Sequence, residues 1–111
     1  MGHNATRQAF VAVTVSHLRS MNLRNEARGR ECQVRYPGIC NGDSATVVLA
    51  HLRLAGITGA GQKAPDFLGA WCCSECHAYA DSRYNDRDRR AFYEGIFRTQ
   101  NQLVQEGKIK W

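Results

Sequence analysis

Between Gly69 and Asp81 the chain reads GAWCCSECHAYAD, with three cysteines and a histidine inside six residues and an aspartate four residues beyond the histidine. Thiolate, imidazole and carboxylate are metal ligands, and imidazole also moves protons near neutral pH. Cys73-Ser74-Glu75-Cys76-His77 matches the C-x-x-C-H pattern of covalent haem attachment. That chemistry needs export and a haem-sized apolar pocket, and a chain with 4 Phe and 2 Trp offers little material for one. A dithiol redox site would follow a strand in a thioredoxin-like alternation, for which 111 residues in this order are unsuited.

Zinc accounts for more residues at once. Cys32 and Cys40 flank a turn, and Cys73 and Cys76 form a second pair far along the chain, so one tetrahedral ion would pin two distant segments. Cys72 or Cys73 could serve on spacing, but the x-x interval favours Cys73 and leaves Cys72 as a small buried strand residue. His77 and Asp81 then remain, four apart on one helical face, where an imidazole and a carboxylate can hold a second, hydrated divalent cation. Taken singly, His77 could instead bond a backbone carbonyl, and Asp81 could pair with Arg83. His51 adds a group able to take a proton from water beside such an ion.

The elements that must position these residues are short. Asn22 to Arg28 suits a short helix stopped by Gly29, and YPGICNGD reads as turns. ATVVLAHL suits a strand of about six residues, AGITGAGQKAPD a loop, and FLGAWC a second short strand. Ser74 can cap a helix beginning at Glu75. Asp86 or Asp88 can begin another, in which Phe92, Tyr93, Ile96, Phe97, Leu103 and Val104 recur near a 3.6-residue period and Gly107 ends it. That stripe suits the protein's own core or a second copy. The expected architecture is a small α+β fold, a hairpin crossed by a helix and held by one metal, with an additional C-terminal helix.

Composition bounds the partners. One domain is the economical solution at this length. Ala9 to Val15 is too short to span a bilayer and lacks a small-x-small cleavage site, so no membrane role is expected and the cysteines are assigned to a reducing cytoplasm. Met21 can equally be a translation start, and residues 1–21 are treated as an N-terminal extension to a domain at 22–111. The net charge is +5, and Arg outnumbers Lys twelve to three. Guanidinium forks suit phosphate, so a polyanion partner is indicated, although interspersed Glu26, Asp86, Asp88 and Glu94 also fit a solvated face of ion pairs.

EARGRECQVRYPGICNG, LAHLRLAG, KAPD and CSECHAYAD together closely resemble the small prophage-encoded proteins assigned to the HNH nucleases, whose fold is the zinc-pinned ββα-metal core. The resemblance runs from about Asn22 to Trp111. It implies that His51 is the general base and that His77 ligates the catalytic metal, with Asp81 as the extra ligand one turn later. Asp66 falls near the middle family position, usually Asn, which holds the loop or orients the base. Cys32, Cys40, Cys73 and Cys76 correspond to the structural zinc ligands. Ala50 departs from the family, which often has an acidic or histidine ligand directly before the base.

The expected function is therefore metal-dependent hydrolysis of DNA phosphodiesters in the cytoplasm of a bacterial host, in phage or prophage DNA processing or recombination. Structural zinc and a catalytic Mg²⁺, Mn²⁺ or similar ion are the implied cofactors. Arg53, Arg83, Arg87, Arg89 and Arg90 are the expected phosphate contacts. The alternative is a zinc-stabilised DNA-binding or phage accessory protein that does not cut.

Overall fold

The computed structural model describes residues 21–54, 56–58, 63–82 and 86–109. Expectations for residues 1–20, including Ala9 to Val15, and for Arg83 fall outside those residues. Strands β1 (Val48–His51) and β2 (Gly69–Cys72) form an antiparallel pair, with Val48 opposite Cys72, Leu49 opposite Trp71, Ala50 opposite Ala70 and His51 opposite Gly69. Helix α1 (Ser74–Ser82) follows β2 directly, and helix α2 (Asp86–Gln105) closes the fold. The expected order of strand, loop, strand, helix, helix holds.

Both strands are shorter than their apolar runs suggest, because local hydrogen bonds compete for the preceding residues. Before β1, the Asp43 carboxylate accepts from Ala45 N at 3.0 Å and winds Ser44–Thr46 into a 3-10 turn. Before β2, Pro65 fixes the entry to a second such turn, Asp66–Leu68, which removes Phe67 and Leu68 from the strand. Gly69 lets the strands pack closely: a Cβ there would lie 2.8 Å from Leu49 Cδ1 and 3.1 Å from Ala50 O, so the Leu49 side chain would have to shift. The helix expected over Asn22 to Arg28 is also a single 3-10 turn, Arg24–Ala27, with Leu23 and Ala27 buried.

All four residues of β2 are buried, and α2 lies across that strand. Phe92, Ile96, Thr99 and Leu103 form the inward face of α2. Thr99 is fully buried and satisfied, since its Oγ1 accepts from Trp71 N at 3.0 Å and donates to Gly95 O at 2.8 Å. Tyr93 is half-buried, whereas Phe97 and Val104 point to solvent, with Phe97 65% exposed. The periodic stripe is thus wider than the face that packs. Gly107 ends the helix with φ +71°, Lys108 N donates to Leu103 O at 2.9 Å, and Ile109 returns to the core.

The cap of α1 differs from expectation. Ser74 Oγ accepts from Asn41 Nδ2, and Ser74 N donates to Thr46 Oγ1, while Cys73 Sγ accepts from Cys76 N at 3.4 Å. The capping acceptor is therefore a cysteine sulfur. Arg30 ties the opening segment to the far end of α2, donating to both Glu106 oxygens at 2.5 and 2.6 Å while its guanidinium stacks 4.6 Å from the Trp71 ring. Among the described residues, no helix is long and apolar enough to cross a membrane.

Candidate functional site

The thiols of Cys32, Cys40, Cys73 and Cys76 converge, with all four sulfurs within 4.8 Å of one another. Cys73 and Cys40 sulfurs are 3.9 Å apart. Zinc–thiolate bonds of about 2.3 Å in a tetrahedron require sulfur separations of about 3.8 Å, so the cluster fits a chelated ion with little adjustment. Among the described residues it is the only group of three or more potential ligands that close.

Local structure supports each arm. Arg35 adopts φ +57°, and its Nε donates to Cys32 O at 3.0 Å, curling the chain around Cys32. Cys40 N donates to Tyr36 O at 3.0 Å, and the Tyr36 hydroxyl donates to Asp88 O at 3.2 Å. Cys72 is fully buried outside the cluster, as its strand position suggests. Its hydrogen bond to Cys32 is the largest influence holding the Cys32 thiol well below the usual range, against the cost of burial and with help from backbone amides of Arg35, Cys73 and Val34. The same bond, with burial, pushes Cys72 up.

A second constellation lies at the end of β1. His51 Nε2 is 2.8 Å from Asp66 Oδ1, while Asp66 Oδ2 accepts from Leu23 N at 2.9 Å. Arg24 Nε stands 3.9 Å from Oδ1. Burial pushes the Asp66 carboxyl up, but the His51 and Leu23 hydrogen bonds and the His51 and Arg24 charges outweigh it and hold the group below its ordinary range. Asp66 thus stays ionised while joining strand, turn and N-terminal segment.

Across from this pair, α1 presents His77 and Asp81, with Nε2 and Oδ2 3.8 Å apart and both side chains nearly half exposed. Arg53 Nη2 contacts the other Asp81 oxygen at 3.0 Å. Two donors at that separation can share a hydrated cation, but the guanidinium occupies one carboxylate oxygen. His51, Arg53, His77 and Asp81 line a single open cleft of about 810 Å³, together with Arg24, Arg28 and Lys63. Its floor includes Ala50, 2% exposed and opposite Ala70, so the residue before His51 contributes no ligand.

The expected phosphate contacts divide. Arg53 is in the cleft, whereas Arg89 and Arg90 line a separate depression with Tyr93, Glu94 and Phe97, and Arg90 Nε donates to Glu94 at 3.1 Å. Arg87 belongs to the first turn of α2, and its side chain is outside the described residues. Nothing in the local spacing of Arg24, Arg28 or Lys63 signals that they converge on His51; only their clustering as cations hints at it.

A two-stranded antiparallel sheet followed by a helix that carries an imidazole and a carboxylate, beside a four-thiol cluster, defines a ββα-type core. The family model described as "Putative nuclease YbcO" matches residues 21–108, and the chain belongs to that family. It is 48% identical over 93 residues to the "Putative nuclease YbcO" of Escherichia coli strain K12, covering 80% of this chain and 97% of that protein. The "Putative nuclease ybcO" of Enterobacteria phage 82 matches with the same identity and coverage. A solved structure described as a putative bacteriophage protein from Escherichia coli K-12 MG1655 superposes with a TM-score of 0.61 at 41% identity, covering 76% of this chain and 98% of that one.

Proposed function

We propose that this protein is an HNH-type endonuclease that hydrolyses DNA phosphodiesters with the help of a divalent cation. The observation that carries the proposal is the Asp66–His51 hydrogen bond at the edge of a basic cleft. An ionised carboxylate on Nε2 keeps the proton on that nitrogen and leaves Nδ1 with the lone pair. His51 Nδ1 takes a proton from water, the water oxygen bonds to phosphorus as the bond to the ester oxygen on the opposite side breaks, and that oxygen takes a proton from solvent while His51 later returns its own to solvent. Arg24, Arg28, Arg53 and Lys63 hold the phosphates at the cleft, a contact that positions a backbone without reading sequence.

Cys32, Cys40, Cys73 and Cys76 would hold a structural zinc, which adds folding free energy and takes no part in the hydrolysis. His77 and Asp81 would hold Mg²⁺, Mn²⁺ or a similar ion, which supplies positive charge to the phosphate oxygens as negative charge accumulates there. The phage and bacterial relatives suggest DNA processing or recombination in the cytoplasm of a bacterial host as the setting. A zinc-stabilised DNA-binding protein without catalysis is the second reading, favoured by Ala50 and by the guanidinium seated on Asp81.

Supercoiled plasmid incubated with Mg²⁺ or Mn²⁺, with and without EDTA, separates the two. The nuclease proposal expects nicking that EDTA abolishes and that His51→Ala removes at unchanged zinc content. Plasmid left intact across a panel of divalent ions, with DNA affinity unaffected by His51→Ala, would transfer the weight to the binding protein.

A further inference from the structure

Asp81 has two competing claims on it. Its Oδ2 lies 3.8 Å from His77 Nε2, the pair that would share a cation, while its Oδ1 is held by Arg53 Nη2 at 3.0 Å. A cation there would sit within a few ångströms of a guanidinium and repel it, so the carboxylate cannot serve both fully. The Arg53 side chain is 68% exposed and Asp81 47%, so the ion pair is weak and can exchange without disturbing the core. A nucleic-acid phosphodiester competes for the guanidinium fork, because it accepts the same bidentate pair of hydrogen bonds with the same single charge, and its neighbours along the strand add to the field that draws the cation. All the groups involved line one cleft.

We propose that Arg53 is a positioning residue that couples substrate to cofactor: in the free protein it occupies Asp81, and a nucleic-acid phosphate entering the cleft draws it away and opens the carboxylate to the divalent cation. The inference rests on the nuclease reading of the cleft. Linkage makes the effect reciprocal, so polyanion raises cation affinity by the factor by which cation raises polyanion affinity. Cation loading is then favoured where a phosphate is already in place. This assigns the Arg53–Asp81 pair a role in catalysis and not in stability, since an exposed pair of this kind contributes little to folding.

The test is Mn²⁺ binding, followed by calorimetry or by the loss of the free-ion magnetic resonance signal, on zinc-loaded protein. Without DNA, Arg53→Ala should bind Mn²⁺ about two- to fivefold more tightly than the parent, the factor set by the strength of an exposed ion pair. Arg28→Ala removes a cleft cation of equal charge and should change Mn²⁺ affinity by less than half of that factor, which separates the contact with Asp81 from the general field. In a His51→Ala background, where a short duplex stays intact, the duplex should raise Mn²⁺ affinity more in the parent than with Arg53→Ala. Equal Mn²⁺ affinities for Arg53→Ala and the parent, or equal enhancement by duplex with and without Arg53, would overturn the coupling. If the wild-type chain still nicks plasmid under those outcomes, only the coupling fails; if it neither nicks plasmid nor binds Mn²⁺ in a manner dependent on Asp81, the nuclease reading falls with it.

Discussion

Asp66→Ala is the most informative single perturbation, because one carboxylate supports both the proposed base and the opening segment. Its side chain is only 12% exposed and accepts from Leu23 N at 2.9 Å and His51 Nε2 at 2.8 Å. His51 is 18% exposed and can regain a water at Nε2, but the amide of Leu23 belongs to a residue 4% exposed and has no such recourse. The stability cost is therefore set mainly by one charge-assisted hydrogen bond, about 1.5–3 kcal/mol. The catalytic cost is larger in proportion. Without the carboxylate, the imidazole loses both its orientation and the preference for a proton on Nε2, and a positioned general base is worth about 10²–10⁴ in rate. We expect nicking to fall by about 10²–10³ in the variant, within that range because some correctly disposed imidazole persists. Urea unfolding gives the first quantity, and plasmid nicking at saturating divalent ion gives the second. Zinc content should be unchanged. Asp66→Ala combined with His51→Ala should cut no more slowly than His51→Ala alone, since the two act as a unit. An Asp66→Ala protein that is folded and nicks within threefold of the parent would refute the assignment of Asp66 as the group that orients the base.

Other outcomes follow from single contacts. Gly95→Ala would set a methyl 2.8 Å from Val34 Cγ2 and 3.0 Å from Val34 Cα; the helix gains about 1 kcal/mol, but overpacking against backbone costs about 1–3 kcal/mol, so thermal melts should show no gain and most often a loss. With zinc on the four thiols, as proposed, chelation should unfold the chain, because a structural zinc contributes about 10–16 kcal/mol against a total stability of about 5–15 kcal/mol; Cys76→Ser should lose the metal by elemental analysis, and Cys72→Ser should retain it. Asp66 has a folded pKa below its ordinary 3.8, so the stability it confers is complete above that value and is lost as pH falls through the depressed one. The stability difference between parent and Asp66→Ala, followed by urea titration, should persist down to about pH 4 and close as the pH falls below it. Arg28→Ala should flatten the salt dependence of DNA affinity by about one unit of log–log slope, whereas Arg90→Ala, with its guanidinium on Glu94 outside the cleft, should leave the slope nearly unchanged.

Features carried by neighbouring residues were legible in the chain. The x-x interval of Cys73 and Cys76, the i,i+4 pairing of His77 with Asp81 and the glycine stop at Gly107 depend on helix geometry alone, and all three stand in the fold. Strand lengths were less legible, because Asp43 and Pro65 draw the first residues of each apolar run into 3-10 turns. Phe97 shares its period with Ile96 and Leu103 but not their burial, since periodicity marks a face without saying how wide its neighbour is.

The order of residues specifies the set of chemical groups and the succession of elements that carry them: four thiols in two pairs, two imidazoles with a carboxylate one turn after the second, and strand, strand, helix, helix. Tertiary structure alone decided which groups meet. Asp66 reaches His51 across the loop of the hairpin, Leu23 and Arg24 fold back onto Asp66, and Arg53 lands on Asp81 rather than remaining a free phosphate contact. Arg24, Arg28 and Lys63 enter the cleft by the same folding, while Arg89 and Arg90 are carried away from it. The physical reason is that local spacing fixes the direction of side chains within a turn or two, whereas contacts between segments depend on the thiol cluster and on the packing of α2 over β2, which bring distant residues together in ways their spacing does not encode.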